Sequence, residues 1–236
     1  MIEINISGLQ KKYGNQLALD IDKLNIGEGQ LCGVVGNNGA GKTTMFRLML
    51  DLIEASAGGI KVNNTEVAGN EQWKSFTGSY LDEGFLIDFM TPEEYFAFTG
   101  SLYGFSQAEI EDALVPYKRF LTDEIIGQKK YIRQLSSGNK QKVGIVAAMI
   151  VRPKLLILDE PFNYLDPSSQ ILIRRILQQD NEVRKTTMLI SSHNLNHITG
   201  MCDRIILLEK GKVIRDLKLP DDSLGEIEQY FSLQAE

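Results

Sequence analysis

The apolar positions of this chain change their period along its length, and each period predicts a different element. Over the first thirty or so residues they alternate: Ile2, Ile4 and Ile6 share one face, and Leu17, Leu19 and Ile21 repeat the pattern. A period of two predicts half-buried antiparallel strands. An unbroken apolar run follows from Leu31 to Val35, then a glycine-rich turn. Met45, Leu48, Met49 and Leu52 then fall at i, i+3, i+4 and i+7, the inner stripe of an amphipathic helix. Strand, glycine loop and helix in that order open an α/β layer fold.

The middle third reads as helical. Thr91-Pro92-Glu93-Glu94 combines an N-cap, a proline at the first helical position and a glutamate at the third, which makes a capping box; Ser106-Gln107-Ala108-Glu109 repeats it without the proline. Short helices are therefore predicted from about Phe85 to Ile150, a helical lobe inserted into the α/β body. The last third returns to strands. Leu155 to Leu158 and Met188 to Ile190 are continuously apolar, as strands of a parallel sheet buried on both faces must be. Asp166-Pro167 opens a helix between them. Ile205 to Leu208, the turn Glu209-Lys210-Gly211-Lys212, and Val213-Ile214 read as a closing hairpin. No internal repeat is visible.

Composition narrows the classes. With 236 residues, 43% hydrophobic and 24% charged, the chain suits one domain carrying an insertion, or two small lobes. Its net charge of -6 disfavours broad contact with a phosphate backbone, so no nucleic acid partner is expected. Cys32 and Cys202 are far apart and fit no metal or CxxC spacing; a buried, reduced Cys32 and a cytosolic compartment are expected. The N-terminus shows no signal peptide, and no segment approaches the ~20 apolar residues that span a bilayer. If the protein serves a membrane process, another chain supplies the spanning helices.

Two segments carry candidate chemistry. Gly36-Asn37-Asn38-Gly39-Ala40-Gly41-Lys42-Thr43-Thr44 matches G-x-x-x-x-G-K-[ST] in the strand-loop-helix context that pattern requires. Glycines let successive N–H groups turn inward around phosphate oxygens, and the following helix directs its positive end at the same charge. Lys42 is then expected to reach the β- and γ-phosphates, and the Thr43 hydroxyl to bind Mg²⁺. Leu155 to Leu158 ends in Asp159 and Glu160. Two acids after a strand are, taken alone, more often a solvated turn. Beside a phosphate loop they read as chemistry, Asp159 for Mg²⁺ through water and Glu160 for the attacking water.

On these motifs, and on three more in the same order, the chain resembles the ABC ATPase family over nearly its whole length. Leu135-Ser136-Ser137-Gly138-Asn139 resembles the signature LSGGQ, Asn163-Tyr164-Leu165-Asp166 resembles the D-loop, and His193 resembles the switch histidine. Tyr13 matches the aromatic residue that stacks on adenine, although a tyrosine near a turn also serves plain strand packing. The resemblance implies an α/β fold: a P-loop NTPase (RecA-like) core with an N-terminal antiparallel β subdomain (1–84 and 151–236) and an inserted α-helical subdomain carrying the signature (85–150). It implies ATP and Mg²⁺ as cofactors. It also implies a dimer in which each ATP lies between Lys42 of one chain and Ser136, Ser137, Gly138 and Asn139 of the other, with Asp166 nearby. The other partner implied is a transmembrane permease subunit, which places the chain peripherally on the cytoplasmic face of the cell membrane.

The sequence departs from the family pattern at three places. Ser137 stands for a glycine and Asn139 for a glutamine in the signature. Aligning Tyr80-Leu81-Asp82-Glu83 with the Q-loop puts Glu83 where a glutamine belongs; a carboxylate also binds Mg²⁺ but adds charge beside the γ-phosphate, which leaves the turnover rate open. His193 and His197, at i, i+4, lack a third zinc ligand, so His193 is read as a γ-phosphate contact and His197 as a surface residue. Phe85-Leu86-Ile87-Asp88-Phe89-Met90 is read two ways, as core of the helical lobe or as the rim of a groove receiving a helix of the membrane subunit. Short cassettes without a further domain after the last hairpin resemble those of exporters. A soluble ABC-type ATPase serving as an assembly or scaffold factor is the alternative.

Overall fold

The computed structural model describes residues 2–219 and Gly225. The chain forms two compact units, one made of Met1–Glu71 with Thr187–Glu236 and the other of Gln72–Thr186. The first unit begins with strands β1 (Ile4–Tyr13), β2 (Gln16–Ile26) and β3 (Leu31–Val35), helix α1 (Lys42–Met49), and strands β4 (Ala57–Val62) and β5 (Thr65–Glu66). The second holds β6 (Thr77–Tyr80), helices α2 (Pro92–Leu102), α3 (Gln107–Leu114), α4 (Lys118–Ile125) and α5 (Ser137–Ile150), strand β7 (Leu155–Leu158) and helix α6 (Pro167–Arg184). The chain then returns to the first unit with β8 (Thr187–Ser192), α7 (Leu195–Ile198), β9 (Arg204–Glu209) and β10 (Lys212–Lys218).

In the first unit β2, β1, β4 and β5 form an antiparallel sheet in that order. Ile4 faces Ile26, Ile6 faces Leu24 and Leu9 faces Ile21, and all six are buried. Lys11 pairs with Leu19 but Lys12 with Leu17, so Ala18 is an extra residue in β2. A bulge of this kind moves every side chain beyond it off its face. The alternation expected for Leu17, Leu19 and Ile21 therefore holds only for the last two, and Leu17 is exposed.

The other sheet of this unit has β3 flanked by β8 and β9, both parallel to it, with β10 antiparallel on β9. Every residue of β3 and of β8 is buried, which is why β3 and the Met188 to Ile190 stretch of β8 read as apolar runs. Cys32 lies in β3 with its thiol pushed up to about 12 by burial, and Cys202 is buried as well. Helix α1 ends earlier than the apolar stripe predicted. Asp51 takes a left-handed conformation (φ 51°), so Leu52 falls outside the helix and is exposed, while Phe46 fills the core. Arg204 fastens this unit from inside. Its guanidinium donates to both carboxylate oxygens of Asp216 (2.7 and 2.6 Å), to the Asn25 carbonyl (2.7 Å) and to Gln30 Oε1 (3.0 Å).

The second unit is largely helical. Strands β6 and β7 pair in parallel, with Tyr80 opposite Leu158. Both expected capping boxes are present, on Thr91 and Ser106, and Asp166 caps α6 with Pro167 behind it. A left-handed Thr122 kinks α4. From Gln141 to Ile150 helix α5 is buried on all sides, and it approaches β6 so closely that a Cβ on Gly144 would stand 2.0 Å from the Tyr80 ring. Helices α2 to α5 fall inside the 85–150 segment read as helical. Of the 151–236 stretch read as core, 220–224 and 226–236 lie outside the described residues. No described helix is long and apolar enough to cross a membrane.

Replacing Arg204 by methionine strips the Asn25 carbonyl and Asp216 of their shared donor. Because Asp216 keeps some access to water, a loss of about 2 kcal/mol is expected in urea unfolding, below the 3–5 typical of a fully buried pair.

Candidate nucleotide site

In the first unit the glycine loop leaves the end of β3 and enters α1. Its first residue is anchored, the Gly36 N–H donating to the Ser192 carbonyl at the end of β8 (3.3 Å). A Cβ at Gly36 would stand 2.3 Å from the Leu208 carbonyl oxygen, so only glycine lets the loop lie that close to β9. Ala40 N–H closes back onto the Asn37 carbonyl (3.0 Å), leaving Asn37, Asn38 and Gly39 exposed. At Gly41 the backbone turns left-handed (φ 106°) and no side chain caps α1. The tip of the β9–β10 hairpin braces the loop: the Gly211 N–H donates to the Ala40 carbonyl (2.9 Å) while its carbonyl accepts from Asp20 N–H (2.8 Å).

Lys42 is buried and lies along this loop, its Nζ donating to the carbonyls of Gly36 (2.6 Å) and Asn37 (3.3 Å). Thr43 and Thr44 occupy the first turn of α1, half-buried. Tyr13 ends β1 about half exposed, with the Lys11 ammonium 5.1 Å from its ring centroid. His193 follows β8 directly and is exposed. His197, expected at the surface, is instead half-buried, its Nδ1 3.3 Å from Ser192 Oγ, because the Ser192 hydroxyl also takes the Asn194 N–H (3.0 Å) and folds the turn inward.

In the second unit Asp82, Glu83, Ser137, Asp159, Glu160 and Tyr164 line one cleft of about 320 Å³. The end of β7 sets the two acids. Asp159 is buried, its N–H donating to the Tyr80 carbonyl (2.9 Å). Glu160 turns left-handed (φ 48°), and its carbonyl accepts from Asn163 N–H (3.1 Å) and Gln141 Nε2 (3.1 Å). Asp82 caps the short turn that carries Glu83 by accepting from Gly84 N–H. Glu83 is ion-paired: Oε2 is 3.1 Å from Lys140 Nζ on α5. The charge that the sequence added at this position thus has its counter-charge on the signature helix, a relation that nothing in the spacing of 83 and 140 announces.

Ser136 caps α5, its Oγ accepting from the Asn139 N–H (3.2 Å). A Cβ on Gly138 would stand 2.6 Å from the Tyr164 carbonyl, itself at a left-handed residue (φ 62°), whereas Ser137 sits in the cleft wall without such a conflict. Hydrogen bonds from Ser168 and Ser169 hold the Asp166 carboxyl far below the usual carboxylate range. Of the apolar stretch ahead of α2, Phe85 and Phe89 are exposed and Leu86 is buried, so it divides between the two readings. Among the described residues no three or more of His, Cys, Asp or Glu cluster to hold a metal.

A glycine loop with a buried lysine at an uncapped helix start, on an α/β scaffold whose second unit carries the paired acids, defines a phosphate-loop nucleotide-binding protein. The ABC transporter family model matches residues 19–163. The chain is 34% identical over 221 residues to an uncharacterized ABC transporter ATP-binding protein of Methanocaldococcus jannaschii, MJ1023, covering 93% of this chain and 79% of that one. It is 30% identical over 212 residues to the tungstate uptake system ATP-binding protein TupC of Peptoclostridium acidaminophilum, covering 90% and 97%. The bacitracin transport ATP-binding protein BcrA of Bacillus licheniformis is 32% identical over 220 residues, covering 91% and 69%. Among solved structures, an ATP-binding subunit of an ABC transporter superposes with a TM-score of 0.82 at 28% identity, covering 99% and 95%. The chain belongs to the ABC transporter family as an ATP-binding, ATP-hydrolysing subunit.

The Asp166 cap has a pH signature. A carboxyl whose folded value is depressed stabilises fully above its unfolded value near about 3.9 and loses that contribution as the pH falls towards the folded one. Asp166→Ala is expected to cost about 1 kcal/mol at neutral pH. In urea unfolding at a series of pH values, the gap to the unmodified chain should hold down to about pH 4 and narrow only below it.

Proposed function

We propose that this subunit energises export by a separate transmembrane permease, which it serves peripherally on the cytoplasmic face of the membrane. The observation that carries the hydrolytic part is the cleft of the second unit, where Asp159, Glu160 and Glu83 share a wall with Ser137 of the signature. In this reading Lys42 and the N–H groups of residues 36–44 bind the phosphates, Tyr13 stacks on the adenine, and His193 contacts the γ-phosphate. Glu160 takes the proton of the attacking water. Ser136, Ser137, Gly138 and Asn139, with Asp166, serve the nucleotide held by a second copy or a related ATPase subunit. ATP therefore draws two subunits together, and hydrolysis releases them.

The donor set suits Mg²⁺, since Thr43 offers a hydroxyl and Asp159 and Glu83 offer carboxylates, all hard oxygen ligands. When bound, the ion would neutralise charge on the β- and γ-phosphates. Glu83 has the further task of reaching it while paired with Lys140. The net charge of -6 supports a partner other than nucleic acid. Exposed Phe85 and Phe89 support a docking surface for the permease. Relatives are named for tungstate uptake as well as for bacitracin transport, so the direction is decided by vesicle transport. Inside-out vesicles carrying this chain and its permease should take up cargo when ATP is added outside, and uptake only by right-side-out vesicles would reverse the assignment.

Glu160→Gln tests the chemistry. The amide cannot accept the proton of water, so turnover should fall at least about 100-fold while ATP affinity stays within about twofold. Light scattering should show an ATP-dependent dimer accumulating. Turnover near that of the unmodified chain would remove Glu160 from its role.

A further inference from the structure

Glu160 is held by more than its own strand. Its backbone is left-handed, a conformation that strains a residue with a Cβ and persists only where the surroundings enforce it. Two donors meet at its carbonyl oxygen: the Asn163 N–H, which closes the local turn, and the Nε2 of Gln141, which arrives from the buried flank of α5. Gln141 is buried and satisfied at both ends, because Tyr80 Oη donates to its Oε1 (3.1 Å). The orientation of the amide follows from chemistry. The Glu160 carbonyl can only accept, so the NH₂ group must face it, and the amide oxygen then takes the Tyr80 hydroxyl. Tyr80 also accepts the Asp159 N–H on its own carbonyl, and its ring fits only because position 144 of α5 is glycine.

Resting on the reading of Glu160 as the base, we propose that Gln141 is a positioning residue for hydrolysis: the bonds Tyr80 Oη to Gln141 and Gln141 to the Glu160 carbonyl fix the direction in which the Glu160 side chain leaves the strand end. Neither residue touches nucleotide in this account. Gln141 lies one helical turn beyond Ser137, so the helix that presents the signature is the same one that sets the acid. A buried bond of this kind acts on the reacting geometry and leaves phosphate binding alone.

The test is steady-state ATPase of the full chain carrying Gln141→Met, Gln141→Glu, Tyr80→Phe and the pair Tyr80→Phe with Gln141→Met. Gln141→Met keeps the length and removes both bonds, and kcat should fall about tenfold with KM for ATP within about twofold. Gln141→Glu sets an oxygen against the Glu160 carbonyl and should be at least as slow. Tyr80→Phe removes one hydroxyl and leaves the fold intact; kcat should fall about threefold, and adding it to Gln141→Met should change kcat by less than about 1.5-fold, since the relay is already broken. A normal kcat in Tyr80→Phe and Gln141→Met, a rise in KM that accounts for the loss, or effects of the two changes that multiply would each overturn the proposal. Should Gln141→Met not fold, Tyr80→Phe decides by the same criterion. Glu160→Gln, measured alongside, separates the two ideas. Turnover lost there but intact in the relay variants rejects the relay alone; turnover surviving there rejects the base and the relay together.

Discussion

The first N–H groups of an α-helix have no carbonyl of their own helix to bond, and a folded chain must give them another partner. In this protein α2, α3, α5 and α6 meet the requirement with the side chains of Thr91, Ser106, Ser136 and Asp166. Helix α1 has no such cap. It begins at a left-handed glycine behind a loop whose first residue, Gly36, has no room for a side chain, with Lys42 laid alongside. The surrounding elements all serve to hold that arrangement: β8 receives the first amide of the loop, β9 crowds Gly36, and the hairpin tip bonds Ala40. Neighbouring strands thus keep the backbone of the glycine loop in place.

The second unit solves a different problem, the concentration of negative charge. Asp82, Glu83, Asp159 and Glu160 border one cleft. Lys140 offsets Glu83, and Lys142 stands 4.0 Å from Asp166 while resting over the Phe120 ring. Each cation comes from the first turns of α5. Exposed ion pairs contribute little to stability. Their value here lies in orienting the carboxylates without filling the cleft.

What could be read in advance divides along physical lines. Motifs whose chemistry is local were visible in the sequence, among them the glycine loop, the caps on Thr91, Ser106 and Asp166, and the apolar strands ending at Val35 and Leu158. Each depends on residues a few positions apart. Three features escaped because they depend on tertiary register or on one backbone angle: the bulge at Ala18 that exposes Leu17, the left-handed Asp51 that ends α1 before Leu52, and the half-burial of His197. The support of the candidate site was hidden for the same reason. Lys140 and Gln141 follow the signature and read as ordinary helical polar residues; only the packing of α5 on β6 brings them to Glu83 and Tyr80. The charge of Glu83 was visible, but the lysine that pairs with it was not.

Both cysteines are interior, and burial holds the Cys32 thiol protonated at any physiological pH. Thiol reagents aimed at solvent should therefore find the native chain nearly silent. A single cysteine introduced at an exposed position, such as the tip of the β9–β10 hairpin or the stretch ahead of α2, would carry a spin label or fluorophore as the sole reporter, with no need to engineer the native pair away.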